Sequence, residues 1–213
     1  MPDQSPTYFE IFSLPPHLTL DTRALEKSFY ALSRRLHPDR FASQSPEAQQ
    51  DALAQSSRLN DAYRTLKDPV ARTAYLLKLE GIEMEEQSSA ATAAARTSGT
   101  AKKQVVPEDL LEEAFELNMQ LEEMRAAKKM GDDDPQLRRE LLAAKSTFDA
   151  KLAATDADLA TLHAQWDAAT DPTDPAASNA PAQAAARDSM VALLNRRSYL
   201  RNLVRDVNDA LET

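Results

Sequence analysis

The sequence contains no cysteine. Disulfides, a thiolate nucleophile, a thiolate-ligated zinc and a cluster held on the chain's own thiols are therefore excluded, and a reducing compartment is compatible. Glycine is scarce too, with 3 in 213 residues, and aromatics make up 6%. Set against abundant Ala, Leu, Glu and Arg, this scarcity argues for an all-α chain. No run of about 18 apolar residues exists, so no membrane-spanning helix is expected. The opening MPDQSPTYFE has neither a basic start nor an apolar stretch. No secretory or transit signal is read there, and a cytoplasmic location is expected.

The net charge of −9 is unevenly placed. Residues 1–80 hold 10 basic and 10 acidic residues, so the whole excess falls on 81–213, with 15 and 24. Within the front part, Lys27, Arg34, Arg35 and Arg40 stand against Asp39 alone across 27–40. The stretch 108–123 carries seven acidic residues and no basic one. Opposite local charges suggest two surfaces for two different partners. No basic stripe runs over a whole domain, which argues against nucleic acid as a partner.

Helix start and stop signals are legible along the chain. Thr7 with Glu10 forms a capping box for a short helix carrying Tyr8, Phe9 and Phe12, ended by Leu14-Pro15-Pro16. Asp21 can cap the next helix, with Leu20 and Leu25 placed as a hydrophobic staple. Leu25, Phe29, Leu32 and Leu36 then recur on one face, and Lys27, Arg34 and Arg35 lie away from it. Pro38 disfavours helical geometry at His37 and stops that helix. Ser45-Pro46 starts a third helix, with Leu53, Leu59, Ala62, Tyr63 and Leu66 as its apolar side. Asp68-Pro69 starts a fourth, running to Leu79 and ending at Gly81.

Residues 82–106 lose the apolar stripe and are rich in Ala, Ser and Thr, which reads as a linker. A second set of helices begins at Pro107. One runs to about Met130. Another runs from Asp134-Pro135 to about Ala168, with Leu137, Leu141, Ala144, Phe148, Leu152, Leu159, Leu162 and Trp166 on its stripe. After a Pro-rich loop at 170–182, a last helix spans roughly 182–211 with Met190, Leu193, Leu200, Val204, Val207 and Leu211 on one side. Three such helices predict an antiparallel bundle. Asp132-Asp133-Asp134 lacks the spacing of a calcium loop, and Asp134 serves better as a cap, so no metal is expected. His163 is expected at a surface or boundary position, and His17 carries no signal.

The tripeptide His37-Pro38-Asp39 admits three readings. It is a plain helix stop, since Pro, Asp and His all suit turns. It is a catalytic pair, but no nucleophile or oxyanion device accompanies it, and adjacent side chains rarely converge on one substrate atom. Or it is a recognition loop, a fixed turn offering one carboxylate beside a basic helix face. The setting favours the third: a short aromatic helix, then a basic helix, the tripeptide, and a returning helix. Residues 7–80 resemble a J-domain. Most J-domains follow the tripeptide with a basic residue and Asn, where this chain has Arg40-Phe41.

YFEIFSLP at 8–15, NDAYRTLKDPVARTAYLLKLEG at 60–81, the acidic helix and the bundle narrow the resemblance. The chain is similar to the Hsc20/HscB family, J-type co-chaperones of iron–sulfur cluster assembly. The resemblance implies a J-domain at 1–81, a linker at 82–106 and a three-helix client-binding bundle at 107–213. It implies no chemistry by the chain itself and no cofactor. The implied partner of the loop is a specialised Hsp70 (HscA/DnaK-like), whose ATP hydrolysis is stimulated. His37, Pro38 and Asp39 carry that contact, with Lys27, Arg34, Arg35 and Arg40 as electrostatic contacts. Such a chain biases a two-state machine by differential binding.

The helix after Pro107 has two apolar stripes. Leu110, Ala114, Leu117, Leu121 and Met124 suffice for a core. Leu111, Phe115 and Met119 form a second stripe, each about 100° around from its core neighbour, with Glu112 and Glu116 beside it. Tyr199 sits similarly off the line of Leu200. Both stripes can be buried between two neighbours, or the second is an exposed patch with an acidic rim, as partner sites often are. The resemblance implies that an iron–sulfur scaffold protein (IscU-like) docks there, on positions matching Leu111, Glu112, Phe115, Glu116, Met119 and Tyr199. Two of these depart from the family pattern, which usually has Met at Glu112 and an acidic residue at Met119. A J-protein with another client, or a J-like adaptor that does not activate Hsp70, are the alternatives.

Overall fold

The computed structural model describes residues 6–82, 84, 106–131, 134–170 and 179–212. Seven α-helices and no strand are found among them: α1 (Tyr8–Ile11), α2 (Thr22–Leu36), α3 (Pro46–Lys67), α4 (Pro69–Leu79), α5 (Leu111–Lys129), α6 (Pro135–Ala169) and α7 (Ala180–Glu212). Single 3₁₀ turns occupy Pro38–Phe41 and Glu108–Leu110. Most of the linker read at 82–106, most of the loop at 170–182, and Asp132-Asp133 lie outside the described residues.

The chain divides into two compact units, one of Met1–Met84 with Leu162–Asp188, the other of Glu85–Thr161 with Ser189–Thr213. In the first, local chemistry sets each helix end. The Thr7 hydroxyl accepts from the Glu10 amide and the Glu10 carboxylate accepts from the Thr7 amide at 2.6 Å, closing the capping box. Those bonds to Thr7 hold the Glu10 carboxyl below its usual range. Asp21, Ser45 and Asp68 cap α2, α3 and α4 through their side-chain oxygens. Helix α4 ends in a Schellman motif. The Ile82 amide reaches the Leu77 carbonyl, the Gly81 amide reaches Lys78, and Gly81 takes φ +81, which a side chain would strain.

Helices α2 and α3 are joined by a stacked Phe29–Tyr63 pair with centroids 4.2 Å apart. The Tyr63 hydroxyl donates to Glu26, and Lys67 lies over the Tyr63 ring. Phe9, Leu18, Leu25, Leu59, Ala62, Leu66, Leu76 and Leu77 are buried. Leu53, expected on the apolar side of α3, is exposed instead, and Ala52 is buried in its place. The core face of α3 thus runs 52, 59, 62, 66, and Leu53 sits about 100° off that line.

The last two turns of α6 belong to this first unit, and they hold another departure from expectation. His163 is only 4% exposed. Its Nε2 lies 2.7 Å from Thr73 Oγ1, whose hydroxyl proton is committed to the Pro69 carbonyl at 2.7 Å. The Thr73 oxygen is left as an acceptor, so His163 donates Nε2–H as the neutral imidazole. Burial and the nearby Arg72 charge push its pKa down to about 4, with Asp167 opposing. One turn on, Asp167 accepts the consecutive amides of Leu18 and Thr19, each at 2.7 Å. Buried Arg72 donates to the Leu66 carbonyl and so caps the C-terminus of α3.

The second unit is an antiparallel three-helix bundle. Its core is Leu110, Ala114, Leu117, Leu121, Met124, Leu137, Leu141, Phe148, Leu200, Leu203, Val207 and Ala210. Ion pairs stitch the helices along the seams: Glu113–Lys151 at 2.7 Å, Asp156–Arg197 at 2.8 Å, and Asp109–Arg196. Lys128 donates to the Ala210 carbonyl at 2.6 Å, placing a cation on the last turn of α7. Asp134 is a helix cap, accepting from the Gln136 and Leu137 amides. No cluster able to hold a metal ion is found among the described residues. On α7, Leu194 and Leu203 are buried where the expected stripe named Leu193 and Val204, which are half-buried. A core line drifts around a straight helix of this length, and a fixed stripe read from sequence loses register with it.

Candidate functional site

The tripeptide loop takes its shape from local rules. His37 leaves α2 with extended backbone, φ −61 and ψ 128, as a residue before proline must. Pro38 then opens the 3₁₀ turn, and the Arg40 amide donates to the His37 carbonyl at 3.0 Å. His37 Nδ1 accepts from the Asp39 amide at 3.3 Å and lies 3.4 Å from Asp39 Oδ2. Beyond the turn, the side-chain Nε2 of Gln49 on α3 donates to the carbonyls of Ala42 and Gln44, tying the loop to the returning helix. The loop is held while its carboxylate is not: the Asp39 side chain is 89% exposed, against 54% for His37. Lys27, Arg34, Arg35 and Arg40 all face solvent, and none has an ion-pair partner among the described residues. Lys27 and Arg34 are seven residues apart and share one side of α2. The arrangement offers one fixed carboxylate flanked by several free cations.

A second surface lies on α5. Its four core residues, Ala114, Leu117, Leu121 and Met124, are buried, as is Leu110 in the turn before it, yet Leu111, Phe115 and Met119 are 53%, 67% and 62% exposed. They stand one turn apart on the side away from the core. Glu112 and Glu116 beside them are exposed. Apolar residues thus occupy both sides of one helix, and the outer set has nothing described packed over it. Tyr199 is different: it is half-buried against the bundle core, and burial raises its hydroxyl pKa. The structure brings Leu111, Glu112, Phe115, Glu116 and Met119 onto one continuous helix face, and leaves Tyr199 on α7.

Exposure adds residues that sequence reasoning passed over. Tyr30 is exposed on α2 between Lys27 and Arg34, a position its aromatic character alone would have assigned to the core. Asp167 and His163 were invisible as structural residues because their partners lie on the order of a hundred positions away, and no local rule reaches that far.

The DnaJ domain family model matches residues 7–75. A co-chaperone protein HscB homolog of Neisseria meningitidis is 50% identical over 78 residues, 37% of this chain and 47% of that protein. The Vibrio cholerae homolog is 49% identical over 80 residues, 38% and 47% of the two chains. The aligned stretch thus spans about half the length of these curated relatives. Over full length, the chain is similar to the solved structure of chaperone HscB from Vibrio cholerae, with 31% identity, a TM-score of 0.57, and 97% of this chain and 99% of that one covered. The chain belongs to the HscB family. Human co-chaperone protein HscB shares the fold, with a TM-score of 0.59 at 22% identity over 97% of this chain and 83% of that one. In this HscB-family chain, the stretch matched at about 50% identity is 78–80 residues long. No helix among the described residues is long and apolar enough to cross a membrane.

Proposed function

We propose that this chain is a cytoplasmic co-chaperone of iron–sulfur cluster assembly. Residues 1–81 engage the ATP state of a specialised Hsp70, and residues 107–213 hold the iron–sulfur scaffold protein, with 82–106 as the linker. Asp39 offers its carboxylate to a cation of the Hsp70, His37 and Pro38 fix its position, and Lys27, Arg34, Arg35 and Arg40 meet an acidic Hsp70 surface. Leu111, Phe115 and Met119 supply the apolar centre of the scaffold contact, Glu112 and Glu116 its acidic rim, and Tyr199 its edge from α7. The chain performs no chemistry of its own. It binds the hydrolysis-competent Hsp70 more tightly than the resting one, and that difference sets the acceleration.

The observation that carries this reading is the pairing, within one chain of the HscB family, of an outward carboxylate in a tied loop and an uncovered apolar face on α5. The test is titration calorimetry with the scaffold protein of the same organism, beside single-turnover ATPase assays of its Hsp70. Leu111→Ala/Phe115→Ala/Tyr199→Ala is expected to lose scaffold binding and keep ATPase stimulation, and Asp39→Asn to do the reverse. A wild-type protein that stimulates Hsp70 but binds neither apo nor cluster-loaded scaffold defeats the iron–sulfur assignment.

A further inference from the structure

The chain has six methionines and no cysteine, so its only oxidisable sulfurs are thioethers. Met124 and Met190 are sealed in the bundle core at 1% and 0% exposure. Met119 and Met130 are open, at 62% and 84%. Met119 and Met130 differ in place. Met119 continues the Leu111–Phe115 row, whereas Met130 caps the far end of α5, eleven residues and about 16 Å along the helix. We infer that Met119 is an oxidation site through which peroxides weaken client docking on the outer face of α5. The docking part rests on the scaffold-binding reading above.

The chemistry balances without a cofactor. The Met119 sulfur attacks one oxygen of a peroxide, the O–O bond breaks, and a sulfoxide and water (or an alcohol) are the products. Sulfur loses two electrons and the peroxide gains them. The result is a strong hydrogen-bond acceptor set into an apolar contact. Along the helix, the residues one turn away are Phe115, Glu116, Glu122 and Glu123, none of which can donate to it when the carboxylates are ionised. Docking a client over Met119 would then bury an unsatisfied S=O beside carboxylates, which opposes binding. The change is reversible by methionine sulfoxide reductases at the expense of a thiol reductant.

A brief pulse of hydrogen peroxide, ended with catalase, tests this on the full-length protein. Peptide mapping is expected to find the sulfoxide at Met119 and Met130 while Met124 and Met190 stay reduced, with helical content unchanged. Each protein is then titrated with apo scaffold before and after the pulse. The ratio of the two Kd values is expected to be about tenfold for wild type and for Met130→Leu, and near one for Met119→Leu. Reductase treatment should return the wild-type ratio to one. A Met119 that stays reduced, a fully formed Met119 sulfoxide with an unchanged Kd, or an equal loss in Met119→Leu each overturns the inference while leaving the scaffold reading intact. Absence of binding by the untreated wild type overturns both, and the scaffold reading first.

Discussion

The loop at 37–39 exposes charge, and the outer face of α5 exposes carbon. The loop's own amides and carbonyls are tied into the turn and to the Gln49 side chain before any partner arrives, and the carboxylate is left outward. A partner therefore gains one charged contact in a fixed direction, together with long-range attraction to Lys27, Arg34, Arg35 and Arg40. The α5 face gives no direction of that kind. Its three apolar side chains can be covered by any surface of matching shape, and the carboxylates beside them choose among such surfaces by repulsion as much as attraction. On the proposed reading the first site triggers, where one contact must land in one geometry, and the second holds.

The sharpest way to break that comparison is at Asp39. Asparagine keeps the size and the turn but removes the charge. Losing a charge-assisted contact in a protein interface costs about 3 kcal/mol, a factor on the order of 100 in the stimulating concentration of co-chaperone. Because the side chain is almost fully exposed, the unfolding free energy from urea titration should not change by more than about 0.5 kcal/mol. Stimulation left unchanged in a single-turnover assay would place the trigger elsewhere than in this loop.

Next come the two faces of α5, two positions apart. Phe115→Ala should weaken scaffold binding by about 2 kcal/mol, roughly 30-fold, and leave stability nearly untouched. Leu117→Ala removes a fully buried side chain and should cost about 2–4 kcal/mol of folding stability, with binding altered only as far as the fold suffers. Calorimetry and urea unfolding run on both variants give a crossed pattern. If both lose stability alike, the outer stripe is buried in solution and cannot be a docking face.

The two sites also differ in how far they were legible from sequence. Loop and caps were readable because their causes are local: Thr7 with Glu10, Asp21, Ser45, Asp68 with Pro69, and His37 before Pro38 each act within a few residues. The α5 patch was only half legible. Two apolar stripes could be counted, but burial is a property of the neighbours, and sequence does not say how many neighbours a helix has. Leu53 failed for the same reason, since its type predicts burial and its angle on α3 denies it. His163 and Asp167 failed more completely. Their partners, Thr73 and the Leu18 and Thr19 amides, are 90, 149 and 148 positions away. The DnaJ match stops at residue 75, and nothing inside it foretells that the compact unit is completed by the end of α6.

That completion is expected to make the first unit acid-sensitive. In the folded chain His163 is held neutral, with its pKa lowered to about 4 from 6.5. Above 6.5 neither state carries the proton, and the stability is fully present. As pH falls from 6.5 toward 4 only the unfolded chain takes it up, so stability is lost across that window, by at most about 3 kcal/mol. Urea unfolding at pH 7 and pH 4.5 should show this loss for wild type. His163→Gln, which keeps an N–H for Thr73 but does not titrate, should lose less. Equal pH dependence in both proteins would mean that the imidazole is solvated.

The smallest expected effect separates a carboxylate that organises from one that signals. Asp167 accepts two consecutive amides, each oxygen serving one. Asp167→Asn keeps one acceptor and turns its NH₂ toward the other amide, a donor facing a donor. The half-lost pair should cost about 1–2 kcal/mol, read as a lower urea midpoint. Its partner amides lie just before the Asp21 cap, so the variant should loosen the entry of α2 and raise hydrogen exchange at Leu18 and Thr19 above that of the Thr7–Glu10 box. Maximal Hsp70 stimulation should stay within about twofold, because α2 and its loop keep their own hydrogen bonds. Asp39→Asn and Asp167→Asn are thus expected to be mirror cases: the same chemical change should weaken Hsp70 stimulation without touching stability where the carboxylate points outward, and erode stability with little effect on stimulation where it points in.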